Sequence, residues 1–170
     1  MAAPNLCCYM ESCANIAAPE VGVGGACIGA PTFPAAKFNN GILSDVNNEG
    51  CTFPTAGNDI NLDKGTIEFW AKMNYDPTQA ENHCFFSFCD WINGGIQMSF
   101  MMGTDDFRVE TIIAGVWGPQ INTVGMSWSV GDLLHFALTW DRTGSDIGGG
   151  KTLVLKVNNV EEASSITTWA

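Results

Sequence analysis

Basic residues are scarce in this chain. Lys and Arg together number 7, against 18 Asp and Glu in 170 residues, which gives a formal net charge of -11 at pH 7. Because phosphate backbones and anionic lipid surfaces attract positive charge, this balance excludes nucleic acid as an expected partner. Charged residues of both signs make up 15% of the chain, which is low for a protein built from exposed helices.

Long apolar runs are also missing. No stretch approaches the ~20 apolar residues of a membrane-spanning helix, so we expect no membrane insertion. The first basic residue is Lys37, whereas a secretory signal begins with a positive region followed by an apolar core. Two interpretations stay open: a segment of a longer exported protein, or a protein released without such a signal, such as a virion component. The expected location is extracellular or secreted, or within a virion.

Paired-cysteine motifs are absent although the chain has seven cysteines. No C-x-x-C pair occurs, which argues against a zinc ribbon, and the odd number leaves at least one thiol free or bound to another chain. Cys84 and Cys89 lie five apart in a predicted strand, so we expect their side chains on opposite faces, unable to bridge without a bend. The remaining cysteines can form disulfides in an oxidising compartment or pack as small buried hydrophobes; they are Cys7, Cys8, Cys13, Cys27 and Cys51.

What the chain does contain favours strands. It has 19 Gly, 6 Trp and 10 Phe, a mixture suited to strands, tight turns and aromatic surfaces. Residues 1–30 are rich in Gly, Ala, Pro and Cys, so we expect an irregular N-terminal segment there. Over 31–170, short apolar runs recur about every ten residues, which predicts one all-β domain, an antiparallel two-sheet β-sandwich. The predicted strands are 32–38, 51–55, 66–73, 83–91, 96–102, 107–114, 133–140 and 152–158.

Side-chain alternation predicts the interior of this sandwich. In the strands at 66–73 and 133–140, every second residue is apolar, so each strand turns an apolar face inward. Glu68, Lys72 and His135 fall on the outward faces. The inward residues are Ile67, Phe69, Ala71, Met73, Leu134, Phe136, Leu138 and Trp140.

Three stretches carry a further signal through their order and spacing. They are 37–41 with 51–54, then 65–70, and then 134–141 followed by 152–161. Together they resemble the laminin-G-like, concanavalin A-like jelly-roll family over about residues 32–165. The resemblance implies a jelly roll of two facing antiparallel sheets, in proteins that bind glycans or other extracellular partners.

The chain departs from that family at its C-terminal end. Family domains continue past the hairpin near 152–162 with further strands, whereas this sequence stops at Ala170. Three expectations stay open. The jelly-roll domain lacks its C-terminal strands because the chain is a fragment, or residues 1–30 fill the vacant position, or self-association through an open sheet edge supplies a strand from another subunit.

Patterns that carry catalysis are not found. A glycoside hydrolase needs two carboxylates across a cleft, and the related jelly-roll glucanases set theirs on one strand as a Glu-x-Asp-x-x-Glu run. In this sequence Glu68 stands alone, and Asp105 and Asp106 are adjacent, so they face opposite ways in an extended chain. His83 and His135 have no nucleophile elbow near them. We therefore predict that the protein is not an enzyme.

Calcium is the cofactor that the sequence favours, because loop oxygens are plentiful. Residues 45–50 match the first half of an EF-hand loop, but Ala56 stands where a bidentate Glu is needed, so we interpret them as a hairpin turn. The related pentraxin-type jelly rolls carry an Asp and an Asn as calcium ligands in the segment that matches 90–94. The resemblance therefore implies Asp90 and Asn93 as metal ligands, with the remaining family ligands lying past the position where this chain ends.

Tryptophans beside polar residues predict a glycan site, since aromatic faces stack on sugar rings. The predicted patch takes tryptophans from apparent loops and adds charged neighbours; its members are Trp91, Trp117, Trp128, Asp105 and Arg108. The alternative is that these tryptophans only cover the ends of the sandwich. Trp70 and Trp140 fall in predicted strands and are expected to pack in the core or on a sheet surface.

These observations predict a non-catalytic binding or adhesion module outside the cell, with carbohydrate as the preferred ligand class. The first alternative is a structural or assembly subunit, as in a virion or filament, joined to its neighbours through the open edge and the N-terminal segment. The second alternative is a glycoside hydrolase.

Overall fold

The structure, a computed structural model, describes residues 10, 12–19, 24–35, 37, 42–43, 50–53, 61–78, 81–90, 94–102, 104 and 106–169, with the backbone alone at 89–90. The described chain is mostly strands, in antiparallel sheets of two, four and four strands. The predicted all-β sandwich is confirmed. The chain divides into two compact units, Met1–Asn61 and Leu62–Ala170, a later division than the boundary at residue 30 suggested by composition.

The first unit contains a short helix and a short strand within residues 1–30, where an irregular segment was expected, and a second short strand that overlaps the predicted strand 51–55. Helix α1 spans Cys13–Ala17, and the hydroxyl of Ser12 caps it by accepting the backbone N–H of Asn15 at 3.2 Å. Strands β1 (Ala26–Ile28) and β2 (Gly50–Thr52) pair antiparallel. A disulfide joins Cys13 of α1 to Cys27 of β1. The cap and this cross-link stabilise elements that are too short to be stable from local propensity alone.

The second unit holds the two four-stranded sheets. The first sheet has the order β10-β9-β8-β3 and the second has the order β4-β5-β6-β7. The strands are β3 (Lys64–Lys72), β4 (His83–Asp90), β5 (Gly94–Met101), β6 (Asp106–Ile113), β7 (Val116–Asn122), β8 (Leu133–Asp141), β9 (Leu153–Val157) and β10 (Val160–Ser165).

The interior lies where the predicted alternation placed it. The ring of Phe136 on β8 has its centroid 5.2 Å from that of Phe69 on β3, 5.3 Å from that of Phe85 on β4 and 4.9 Å from that of Phe107 on β6. Phe136, Phe107 and Leu155 are fully buried. The two sheets therefore share one aromatic core, with contributions from both layers.

Two predicted features of the strand pattern were wrong. Strand β7 was not predicted, because Gly118 and Pro119 in it are typical of turns; an edge strand tolerates such residues since its outer backbone groups need no partner. Of the predicted strand at 32–38, residues 32–35 and 37 are described, and they form isolated bridges instead of a strand; one of these pairs Thr32 with Leu43. The predicted hairpin after 152–158 does form, and its turn residues Asn158 and Asn159 have φ angles of 50° and 66°, as in a type I′ turn.

Asp141, at the end of β8, organises the long loop that leads to β9. Its carboxylate accepts the backbone N–H of Asp146 at 2.7 Å, the hydroxyl and N–H of Thr143 at 2.8 and 2.9 Å, and the hydroxyl of Ser145 at 3.2 Å. The backbone N–H of Asp146 and the hydroxyl of Thr143 contribute most, and together these donors hold the pKa of Asp141 well below its ordinary value.

This lowered pKa predicts a pH-dependent contribution to stability. A carboxylate with a folded-state pKa below its unfolded value stabilises the fold above the unfolded pKa, and this contribution is lost as the pH falls through the folded pKa. We expect Asp141→Asn to melt at a lower temperature than the wild type at pH 6, because the amide presents N–H groups to N–H donors. The gap between the two melting temperatures should narrow as the pH falls from about 4 towards 2.

Thermal melts followed by circular dichroism at several pH values measure that gap. Glu162→Gln on β10 is the matched control, since Glu162 makes no hydrogen bond with a described residue. It should give the same small difference at every pH. A gap for Asp141→Asn that stays constant from pH 6 to pH 2 contradicts the assigned role.

Candidate ligand-binding face

The second sheet has one face in the core and one face pointing outward. The inward face is defined by the residues of β5 and β6 that are buried: Ile96, Met98 and Phe100 on β5, and Phe107 and Val109 on β6. Because successive side chains on a strand alternate between faces, the residues between them point outward. The cross-strand register then shows which outward residues are neighbours.

Two consecutive rows of this outward face carry polar side chains from all four strands. Neighbouring strands lie about 4.8 Å apart, so each row is roughly 14 Å wide, and the rows are roughly 7 Å apart along the strands. We call these two rows the polar face. The first row is Cys84, Ser99, Arg108 and Asn122, and the second is Ser87, Gln97, Glu110 and Gln120.

An exposed tryptophan borders the polar face. The next row after Glu110 pairs Gly95, Ile112 and Trp117. Gly95 adds no side chain and Ile112 is buried, whereas the Trp117 residue is 55% exposed. The register thus brings an accessible indole to one end of the two polar rows.

Contacts between the side chains hold the centre of the polar face in place. Gln97 donates its amide N–H to a carboxylate oxygen of Glu110 at 2.8 Å, and Nη1 of Arg108 lies 3.8 Å from the other carboxylate oxygen of Glu110. The side chains of Arg108 and Glu110 are only 22% and 14% exposed. On the outer strand, Gln120 donates to the side-chain oxygen of Asn122 at 3.2 Å.

One donor on the polar face has no acceptor in the described part of the chain. The Nε–H of Arg108 is buried and makes no hydrogen bond with a described residue. A buried donor in this state costs about 1–3 kcal/mol relative to a satisfied one. Because this Nε is buried, a ligand on the polar face would contact the accessible amides around it, such as that of Gln120.

The residues present suit hydrogen bonding to hydroxyl groups more than charge recognition. Amide, hydroxyl, guanidinium and carboxylate groups supply both donors and acceptors, and the charges of Arg108 and Glu110 offset each other. The other acidic residue of this face on β6 is Asp106, roughly 13 Å from Glu110 along the strand. That is wider than the carboxylate pairs of glycoside hydrolases, so these two residues do not match a hydrolase pair.

The structure brings two of the predicted patch residues, Trp117 and Arg108, to the same face of the second sheet. Trp117 lies on β7 rather than in the predicted loop. Arg108 lies on β6, in the first row of the polar face.

Trp128 requires a correction, because it is not an exposed loop residue. It is 7% exposed, its indole N–H is donated to the backbone oxygen of Tyr75 at 2.8 Å, and its ring stacks on Phe107 with centroids 4.8 Å apart. Burial of the same cluster raises the pKa of the Tyr75 hydroxyl above its ordinary value. Trp128 therefore packs in the interior and does not belong to the polar face. This agrees with the alternative that the tryptophans serve to cover the sandwich.

The other predicted site residues are not described. Trp91, Asn93 and Asp105 lie outside the described residues, and of Asp90 only the backbone is described, at the end of β4 opposite Gly94. The calcium site therefore stays a prediction. Within the described part of the chain, no group of three or more His, Cys, Asp or Glu side chains is placed to hold a metal ion.

Most of the polar face was missed at the sequence level although a signal for it existed. Alternation in the predicted strands 96–102 and 107–114 places Gln97, Ser99 and Glu110 on the same outward face as Arg108. The sequence does not show that these residues are neighbours, because the register between strands cannot be deduced from each strand alone. Gln120 and Asn122 were missed because β7 itself was not predicted.

A small cavity in the second unit, which Thr111, Arg142 and Trp169 help to line, measures about 30 Å³. It has room for about one water molecule and is too small for a sugar. Among the described residues, no helix has the length and apolar character needed to cross a membrane. No protein-family model, curated protein or solved structure matches this chain significantly.

Proposed function

We propose that the second unit is a non-catalytic glycan-binding module whose ligand lies on the polar face. The observation that carries the proposal is the juxtaposition of two rows of hydrogen-bonding side chains with exposed Trp117 at their end. Sugars present hydroxyl groups around their rim and an apolar C–H face, which call for these two kinds of contact.

The resemblance to laminin-G-like jelly rolls supports the same proposal. That resemblance rests on the ordered strand patterns between about residues 32 and 165, and members of the family bind glycans or other extracellular partners. An extracellular location and calcium binding near Asp90 and Asn93 belong to this proposal as well.

The preferred ligands are neutral glycans. The net charge of -11 repels sulfated or carboxylated polysaccharides. On the polar face itself, Glu110 lies beside Arg108 and offsets the one positive charge that an anionic sugar would need. Binding should therefore depend only weakly on ionic strength.

A glycan array followed by isothermal titration with the best soluble oligosaccharide tests the proposal. We expect Trp117→Ala to weaken binding by about 1–3 kcal/mol, or roughly 5- to 150-fold, as for a hot-spot aromatic. Arg108→Gln should weaken it as well, since the guanidinium beside Glu110 is lost. Trp70→Ala is the matched control, because Trp70 is 42% exposed on the outer face of the other sheet, and it should bind like the wild type.

Two outcomes count against this function. One is a folded wild-type protein that binds no glycan on the array. The other is binding that survives both Trp117→Ala and Arg108→Gln while Trp70→Ala removes it, which would move the site to the first sheet.

A further inference from the structure

Strand β3 forms an edge of the first sheet and is the most regular edge in the second unit. It pairs with β8 over nine consecutive residue pairs, from Lys64 to Lys72, without a register shift. No described strand pairs with its other side. It contains no proline and turns no charged side chain inward; its charged residues Lys64, Glu68 and Lys72 lie on the outward face.

The other three edge strands described in the second unit are irregular. Strand β10 has a register shift between Glu161 and Ala163, and β4 has one between Cys84 and Phe86. The β6–β7 pairing is shifted between Glu110 and Ile112, and β7 also contains Pro119. Bulges and prolines of this kind prevent a flat strand from pairing at an edge. Strand β3 is therefore the edge that an additional strand fits best.

The apolar side chains at this edge are incompletely covered. Ile67, Phe69 and Ala71 face inward but are only half-buried. Their cross-strand partners on β8 are Leu138, Phe136 and Leu134, which are nearly or fully buried. A strand added beside β3 would cover the inward face of β3 as β8 does on its other side.

The direction of the backbone groups also suits such an addition. Met73 donates its backbone N–H to the carbonyl of Asp132, and the carbonyl of Asp63 accepts the backbone N–H of Arg142. The backbone groups of these two odd-numbered residues, one beyond each end of β3, therefore point towards β8. Backbone groups alternate in direction along a strand. Those of the even-numbered residues, including Glu68 and Lys72, consequently point away from β8.

We propose that β3 of a second copy of this chain pairs antiparallel with β3, about a two-fold axis at Trp70. In this register Glu68 of each copy lies opposite Lys72 of the other, which gives two opposite-charge pairs on the outward face. Trp70 lies opposite Trp70 of the second copy. On the inward face, Phe69 lies opposite Ala71 and Ile67 lies opposite Met73, so each inward pair is apolar.

The charges favour this register over those with the axis at Glu68 or at Thr66. An axis at Glu68 would place the two copies of Glu68 opposite each other and Lys64 opposite Lys72, so every charged pair would be repulsive. An axis at Thr66 would pair Lys64 with Glu68, but Lys64 already donates to Asp146 at 2.7 Å within its own chain. Neither Glu68 nor Lys72 makes an ion pair with a described residue, and both are exposed.

A charge-swap series measured by sedimentation velocity tests the interface on the full chain. We expect the wild type to form a dimer with a concentration-dependent equilibrium. Glu68→Lys and Lys72→Glu should each raise the dissociation constant roughly tenfold or more, because each places like charges opposite each other twice. The double variant carrying both changes should restore dimerisation. Lys156→Glu, on β9 of the same sheet, is the control and should leave the equilibrium unchanged.

Thermal melts of each variant establish that the chain still folds. A wild type that stays monomeric at all concentrations overturns the proposal. So does a dimer that Glu68→Lys leaves intact, or a double variant as weak as the singles. A dimer that Lys64→Glu weakens and Lys72→Glu does not would overturn the axis at Trp70.

Discussion

Phe136→Ala is expected to lower the free energy of unfolding of the second unit by about 3–5 kcal/mol. Phe136 is fully buried, and its ring contacts aromatic rings from β3, β4 and β6. Truncation removes contacts to both sheets at once, and strands from two layers cannot close on the cavity without losing their pairing. The melting temperature should fall on the order of 10 °C.

Urea denaturation followed by fluorescence, with ligand absent, measures this loss. Ile166→Ala is the matched control, since Ile166 is 71% exposed, and it should change the free energy of unfolding by less than about 0.5 kcal/mol. A loss below about 1 kcal/mol for Phe136→Ala would mean that the two sheets do not share one core.

Trp128→Ala should also lower the free energy of unfolding by about 3–5 kcal/mol. Variants of Trp128 show whether this residue contributes to packing or to ligand binding. Trp128 stacks on Phe107 and donates its indole N–H to Tyr75. Trp128→Phe keeps part of the ring but leaves the Tyr75 carbonyl without this donor, so we expect about 1–3 kcal/mol for that change alone.

The comparison with Trp117→Ala makes the test specific. Trp117 is exposed on the polar face, so its removal should weaken glycan binding with little change in unfolding free energy. Trp128→Phe should do the reverse, with unchanged affinity per folded molecule below its melting temperature. Loss of affinity in Trp128→Phe at full folding would return Trp128 to the binding site.

The interior of the fold could be predicted because it depends on the alternation of side chains along each strand taken alone. Alternation of apolar and polar residues placed Phe69 and Phe136 inward, and burial of apolar area is the dominant favourable contribution to folding. The same reasoning failed for Trp128. Its neighbours in sequence are two serines, whereas the residues that contact its ring are distant in sequence: Phe100, Phe107 and Tyr75, the last of which lies 53 residues earlier.

The candidate face was harder to predict because it depends on register between strands. Arg108 and Trp117 were chosen for their chemistry, but only the pairing of β6 with β7 places them on one face. Bulges add a further difficulty. The register shift between Cys84 and Phe86 interrupts the alternation from which Cys84 and Cys89 were predicted to lie on opposite faces. No residue type in that stretch indicates such a shift.

The irregularity of β10, β4 and β7 limits how many copies can join. A two-fold contact is self-complementary, so pairing through β3 consumes the same edge on both copies. Among the described strands of the second unit, the pair would then present only bulged or proline-containing edges, which do not pair readily with a further strand. Growth through the sheet edges of the second unit should therefore stop at two copies.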